Sequence, residues 1–394
     1  MARPARKIHI VHIITDLYTG GAEVMLARLL ASLDRDQFEP GVIALTGWGP
    51  VGDALKAQGV PVRCLGLPPG RVTPAAFFKL AGWLRELCPD VIHTWMYHSD
   101  LVGGLAARLA GSSPVVWGIH NSTLDPQYSR RSTLAVVWLL ARLSYQLPAR
   151  IFSCSQVARD VHVGRGYCAG KFQIIPNGFD LSQFHPDPQA RRSVRTELGI
   201  PEGTPVVGLA ARFDPQKDHH NFVLAAGRLA KREPDVHFVL CGDRVTWDNP
   251  ELSGWIDAAG LREIFHLLGR RADMPAVMAA LDVGATASAY GEAFPQVVGE
   301  AMACEVPCVV TDVGDSGFLV GDTGRVVPAR DPDALAAAMK DLLTLPAEDR
   351  QRLGKAARQR VQENFSLGEI CEQYSRVYRE LASSKGVHFE AERT

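Results

Sequence analysis

Short runs rich in β-branched and aromatic residues recur along this 394-residue chain, separated by stretches with helical spacing. In the first half they read IHIVHII, GVIAL, PVRCL, DVIHTW, PVVWGIH, RIFSCS and FQIIP. The second half repeats the pattern with PVVGLAA, VHFVLCG, IFHLLG, LDVGATAS, VPCVVTDV and GRVVP. Such alternation is the signature of parallel sheets covered by helices on both faces. Between the two series, residues 186–190 (PDPQA) are Pro-rich and polar, and the helical stretch RRSVRTELGI follows. The expected fold is therefore α/β with two Rossmann-like domains, 1–187 and 188–394. No internal sequence repeat relates them. Ile370, Tyr374, Val377, Tyr378 and Leu381 keep helical spacing near the end, which predicts a last helix over about 366–383 packing back across the junction. In open parallel sheets ligands bind beyond the carboxyl ends of the strands, so two facing sheets would place a site in the cleft between them.

Length agrees with two domains of just under two hundred residues, and 46% hydrophobic with 22% charged residues is ordinary for a globular protein, the last dozen residues excepted. The basic start MARPARK leads into IHIVHII, but His9, His12 and Asp16 interrupt it and no small-residue cleavage site follows, so it reads as a first strand rather than a signal peptide. LAVVWLLA is far short of the roughly 20 residues that span a bilayer. Eight cysteines stand singly, with no C-x2-C pair and no clustered His ligands, which suggests free thiols in a reducing cytoplasm and no bound metal. Residues 1–185 hold 18 Lys+Arg against 12 Asp+Glu, and the remainder 24 against 31, so the front half is basic within a net charge of -1. An anionic partner or surface, or merely a solvated face, would account for that excess.

The most specific chemistry lies in GEAFPQVVGEAMACEVPCVVTDVGD, where seven residues separate Glu292 from Glu300. A loop carrying the first carboxylate opens a helix near residues 294–298, and the second follows about a turn and a half later. The start of such a helix offers free N–H groups and a positive dipole end to a diphosphate, and carboxylates accept hydrogen bonds from paired sugar hydroxyls. In LAARFDPQKDHHNF, Arg212 and Lys217 follow a strand with four residues between them, placed to neutralise a departing diphosphate. TGGAE puts Gly20 and Gly21 at the first strand–helix turn, where backbone can approach a ligand. No G-x-G-x-x-G follows any strand, which counts against a nicotinamide oxidoreductase.

The GEAF…GE segment resembles the E-x7-E signature of retaining glycosyltransferase family four, whose members share the GT-B fold of two Rossmann-like domains facing each other across a cleft. The resemblance runs from the GGAE loop to the C-terminal helix. It implies a retaining, metal-independent hexosyltransferase of polysaccharide or glycolipid biosynthesis, with acceptor binding in the first domain and a nucleotide-sugar donor in the second. By that resemblance Glu300 binds the ribose, Glu292 the donor sugar, and Ala293, Phe294, Pro295 and Gln296 touch sugar and phosphate. Arg212 and Lys217 take the leaving diphosphate, His120 stands against the donor sugar, and Gly242 and Arg271 lie near the nucleotide. IIPNGFD, with Asn177, Gly178 and Asp180, resembles the family segment before the crossover. Glu305 stands where many relatives carry Gly, so a reshaped helix tip is expected there.

A UDP-sugar is the expected co-substrate, with no other cofactor and no nucleic-acid partner. Beside transfer, two readings remain open: a nucleotide-sugar epimerase and a non-catalytic nucleotide-sugar binding protein. His93, Tyr97, His98 and Asp100 are candidates for acceptor contacts, with a core or capping role as the alternative. Eight Lys+Arg against two acids between Leu101 and Lys171 flank the apolar STLAVVWLLARLSYQL, which carries Trp138 and Tyr145. That pattern suggests peripheral contact of the first domain with the inner membrane face and a lipid-linked acceptor, against burial of Leu134, Val137, Trp138 and Leu140 in the core.

Overall fold

A computed structural model describes residues 6–68, 70–111 and 113–391, with side chains to 384. The first residues of MARPARK and the side chains of most of the last dozen residues lie outside it. The chain divides into two compact units, Met1–Gly178 with Leu367–Thr394, and Phe179–Ser366.

Every run singled out above forms a strand. The first unit holds β1 (Ile8–Ile14), β2 (Phe38–Ala44), β3 (Val62–Cys64), β4 (Val91–Trp95), β5 (Val115–Ile119), β6 (Arg150–Ser153) and β7 (Phe172–Ile174). They make a parallel sheet in the order β3-β2-β1-β4-β5-β6-β7. The second holds β8 (Val206–Ala210), β9 (His237–Cys241), β10 (Phe265–Leu267), β11 (Val283–Ala285), β12 (Cys308–Thr311) and β13 (Arg325–Val327), in the order β10-β9-β8-β11-β12-β13. All pairings are parallel. Both sheets have the doubly wound order, which reverses between β1 and β4 and between β8 and β11. Those two reversals open the crevices at the strands' carboxyl ends.

The final helix, Leu367–Ala391, belongs to the first unit. Ile370, Tyr374, Val377, Tyr378 and Leu381, the positions read from helical spacing, are buried in the same cluster as Ile10, Trp95 and Phe152. Its Tyr378 hydroxyl lies 2.8 Å from His93 Nδ1. Trp95 Nε1 in turn donates to His12 Nδ1 at 3.2 Å. His93 is therefore core. Tyr97 and Asp100 are core as well: Tyr97 Oη meets His162 Nε2 at 2.9 Å, and the Thr94 hydroxyl donates to buried Asp100 at 2.6 Å. Burial pushes the Asp100 carboxyl well above its ordinary value. Only His98 of that group remains half-buried.

The polar PDPQA stretch is a capped helix start. Asp187 accepts from Gln189 N and Ala190 N at 2.9 Å each, and Pro188 occupies the first helical position of Pro188–Glu197. Arg191 and Arg195 of that helix clamp Asp282 at the entry to β11, at 2.6 and 2.7 Å, and Asp282 also accepts from Val206 N of β8. This partly buried ion cluster locks helix and sheet together on the edge opposite the crevice.

Candidate active site

In the second unit the reversal between β8 and β11 brings two of the charged residues predicted from sequence, Lys217 and Glu292, into contact. After β8 the chain passes Arg212 into a one-turn helix, Pro215–Lys217, which Asp214 caps by accepting from Gln216 N at 2.9 Å. Asp218 then adopts a left-handed conformation (φ 46°) and caps the next helix, His219–Ala230, by accepting from Asn221 N at 3.1 Å. This double bend turns Lys217 back over the strand end, where its ammonium bonds Glu292. Lys217 keeps 19% of its side chain exposed and Glu292 10%, so the pair sits at the floor of the crevice. Ser288 donates to the same Glu292 oxygen at 2.6 Å, and Thr311 holds Ser288 by donating to its carbonyl at 2.8 Å. Leu209, Ala210, Thr286 and Val297 complete the small pocket around the pair.

Backbone packing holds the Glu292 loop. Ala289 N donates to the Gln216 carbonyl at 2.8 Å, tying it to the lysine turn. Asp315 N donates to the Ala293 carbonyl at 3.0 Å, and a side chain on Gly314 (φ 61°) would collide with the Glu292 carbonyl. Ala293, Phe294 and Pro295 are buried, and the helix Gln296–Ala303 starts from them with no side-chain cap. That start carries the positive end of the helix dipole, and Val297 of its first turn lines the same pocket as Lys217. Glu300 is buried on that helix, one face of which closes on Phe179, since Gly299 carries no side chain to hold the ring off.

Two more predicted residues stand on the same edge. Gly242 follows β9 with its N–H donated to Gly269, and any side chain there would collide with the Ala211 carbonyl. Arg271, after β10, is held by Glu197 (2.5 Å) and Asp273 (2.7 Å) rather than by the Lys217–Glu292 group. Arg212 is 54% exposed and makes only long contacts, 3.3 Å to Asp214 and 3.3 Å to Gln216.

In the first unit Gly20 caps the helix Gly21–Ser32 after β1, and a side chain on it would collide with the Glu23 carboxyl. His120 follows β5 and stacks on Trp95, ring centroids 5.0 Å apart and 11° from parallel. Burial lowers its pKa to about 4, so a neutral imidazole stands there at neutral pH.

Glu305 corrects the expectation of a reshaped tip. It adopts φ 61°, with its N–H donated to Met302 and the Val306 N–H to Ala301, so the helix closes in the left-handed stop that usually takes glycine. On its other side Gly354 brings the helix Ala347–Asn364 against the Glu305 carbonyl with no room for a Cβ. Sequence reasoning also missed Ser288 and Thr311, which orient Glu292. Nothing marked them, since Ser and Thr at strand ends are common.

The Glycosyltransferase Family 4 model matches residues 19–183, and the model of Glycosyl transferases group 1 matches residues 190–360. Escherichia coli UDP-Gal:α-D-GlcNAc-diphosphoundecaprenol α-1,3-galactosyltransferase is 26% identical, with 84% of this chain and 87% of that protein covered. The α-maltose-1-phosphate synthase of Mycolicibacterium smegmatis is 29% identical over 84% of this chain and 94% of its own. Among solved structures, Anabaena HepE in complex with UDP superposes with a TM-score of 0.82 at 25% identity, covering 95% of this chain and 100% of that one. A family 4 unit followed by a group 1 unit, each on its own parallel sheet, makes this chain a member of the GT-B glycosyltransferases.

Proposed function

We propose that this protein transfers a hexose from a nucleotide diphosphate sugar, preferably a UDP-sugar, to an acceptor hydroxyl, with retention at the anomeric carbon and without a metal ion. The observation that carries this reading is the Lys217–Glu292–Ser288 group seated at the β8–β11 reversal beside the uncapped start of the helix Gln296–Ala303. The Lys217 ammonium and a positive helix end offer favourable charge to a diphosphate, and the held Glu292 carboxylate can receive the sugar's hydroxyls. Lys217 and Arg212 stabilise the charge that grows on the leaving diphosphate, which is the work a metal does in other transferases. Glu292 orients the transferred sugar, Glu300 binds the ribose, and the backbone of Ala293 to Gln296 with Gly242 lines the donor. Gly20 and Gly21 at the turn after β1 and the neutral His120 after β5 are the first unit's proposed contributors to binding and transfer. The UDP-bound relative supports the choice of base.

The acceptor is proposed to be lipid-linked, as in the name of the E. coli relative. Trp138 supports peripheral membrane contact: it is 58% exposed on the helix Arg131–Leu143 and stacks under Arg142 at 3.5 Å, while Val137 and Leu140 alone of the apolar set are fully buried. Aromatic and basic side chains so paired suit a headgroup interface, each cation adding about 1 kcal/mol near an anionic leaflet. No helix among the described residues is long and apolar enough to cross a membrane.

Thermal shift and hydrolysis with UDP-, GDP- and ADP-sugars, in the presence and absence of chelator, test the donor assignment. Stabilisation by UDP-sugars with chelator present is expected. Loss of activity on chelation overturns the metal-free mechanism, and an inverted product anomer overturns retention.

A further inference from the structure

Two large aromatic rings stand in solvent at the carboxyl-terminal edge of the first sheet. Tyr18 follows β1 and is 57% exposed; Trp48 follows the neighbouring β2 and is 38% exposed. Both are nevertheless held. A Cβ on Gly47 would lie 2.7 Å from the Tyr18 ring and one on Gly49 2.8 Å from it, so the backbone on either side of Trp48 runs against the phenol. A Cβ on Gly52 would lie 3.0 Å from the indole, which rests on the helix Pro50–Ala57 and donates from Nε1 to Asp53 Oδ1 at 2.8 Å. The two loops are also tied by backbone: Leu17 N donates to Gly47 O at 3.2 Å, and Val51 N to Leu17 O at 3.1 Å.

Rings of this size normally remove about 150–250 Å² each from water on burial, so two adjacent ones left open on a rigid, glycine-cleared loop pair mark a contact surface. The chemistry around them selects its occupant. Asp16 receives the Tyr18 N–H at 3.1 Å, and Glu23 lies within reach of the same loop. Burial, with the Asp16 charge added, raises the Glu23 pKa to about 7. The groups recorded beside the rings are carboxyls, which accept hydrogen bonds from hydroxyl donors. A pyranose fits both features, because its C–H face meets the negative face of an aromatic ring while its rim hydroxyls donate to carboxylates.

We infer that Tyr18 and Trp48 form an acceptor subsite for an uncharged sugar ring, with Asp16 and Glu23 receiving its hydroxyls. The acceptor of the transfer is then a glycan at its contact with this edge, whatever carries it. The word acceptor rests on the proposed transfer; the binding of a sugar here does not.

Saturation-transfer NMR on the full chain with maltotriose, cellotriose, chitotriose and mannotriose tests it, with UDP titrated in parallel. At least one trisaccharide is expected to show transfer to its C–H protons, at least tenfold weaker in the Tyr18→Ala/Trp48→Ala double variant and retained in Tyr18→Phe. UDP affinity should stay within twofold in all variants. Tyr18→Ser alone, at an exposed position, serves if the double variant loses its circular dichroism. Absence of transfer with all four sugars, or equal transfer in the double variant, overturns the inference. Sugar binding without UDP binding would instead count against the donor assignment and leave this subsite standing.

Discussion

Replacing Lys217 by Ala removes the ammonium bonded to Glu292 at the floor of the β8–β11 crevice. At about 4 Å from a diphosphate oxygen and an effective dielectric near 20, a unit charge pair is worth about 4 kcal/mol, and each added negative charge on the leaving group gains on that scale. Lys217 already serves Glu292, so part of its attraction exists before donor arrives and only the remainder is lost in the transition state. A loss of about 3 kcal/mol, or roughly 150-fold in kcat/KM, is the expected result. Arg212 provides the internal comparison. Its guanidinium is mostly in water, where screening reduces the same interaction, so Arg212→Ala should cost about 1–2 kcal/mol. Steady-state transfer from a UDP-sugar, with Lys217→Arg as the charge-keeping control, measures both. A Lys217→Ala enzyme within threefold of wild type, or an Arg212 loss larger than the Lys217 loss, would refute the placement of the diphosphate.

Glu300→Ala should raise the donor dissociation constant with little effect on saturated turnover, whereas Glu292→Ala should mainly lower kcat; calorimetric titration with UDP and initial rates separate them. Asp282→Ala should destabilise the second unit by about 3 kcal/mol or more in urea unfolding followed by fluorescence, because it leaves buried Arg195 without its carboxylate. Glu305→Gly should raise stability by about 1 kcal/mol by removing a left-handed non-glycine residue, seen as a higher urea midpoint with activity unchanged. Stability should also fall with acid. Burial lowers the pKa of His12 to about 3 and of His120, His162, His219 and His266 to about 4, and holds His93 well below its ordinary value. From pH 6.5 down toward 4 the unfolded chain therefore binds more protons at these six sites, each adding up to about 1.4 kcal/mol per pH unit to the slope. Burial raises Asp100 and Glu23, which act in the opposite direction but are outnumbered. Urea midpoints at pH 7.5, 6 and 5 should fall in that order, and a flat or rising series would contradict the neutral state of the buried histidines.

Both sheets were legible in the chain because a parallel strand buried on two faces must be a short apolar run, and each such run from IHIVHII to GRVVP became a strand. The last helix was legible for the same reason: Ile370, Tyr374, Val377, Tyr378 and Leu381 repeat at the period of one helical face. Glu292, Glu300, Arg212 and Lys217 were candidates through their strand-end loops together with the family resemblance of the segments that carry them. Their partners could not be named that way. Glu292 meets Lys217 only because Asp218 turns left-handed after a one-turn helix, and meets Ser288 only because Thr311 on a neighbouring strand holds that serine.

Burial along β4 and the loops around it was decided in three dimensions. His93 and Tyr97 look like ligand-binding residues on a polar strand end, yet Tyr378 of the final helix meets the first and His162 the second, and the sequence contains no local sign of either partner. At Trp138 the sequence left surface contact and core burial both open, and the helix Arg131–Leu143 buries Val137 and Leu140 while leaving that indole 58% exposed. Sequence by itself determined the kind and order of the elements, because periodicity is a property of neighbours along the chain. Which polar groups meet, and which apolar ones stay exposed, depends on contacts between segments tens to hundreds of residues apart, and only the tertiary structure decides those.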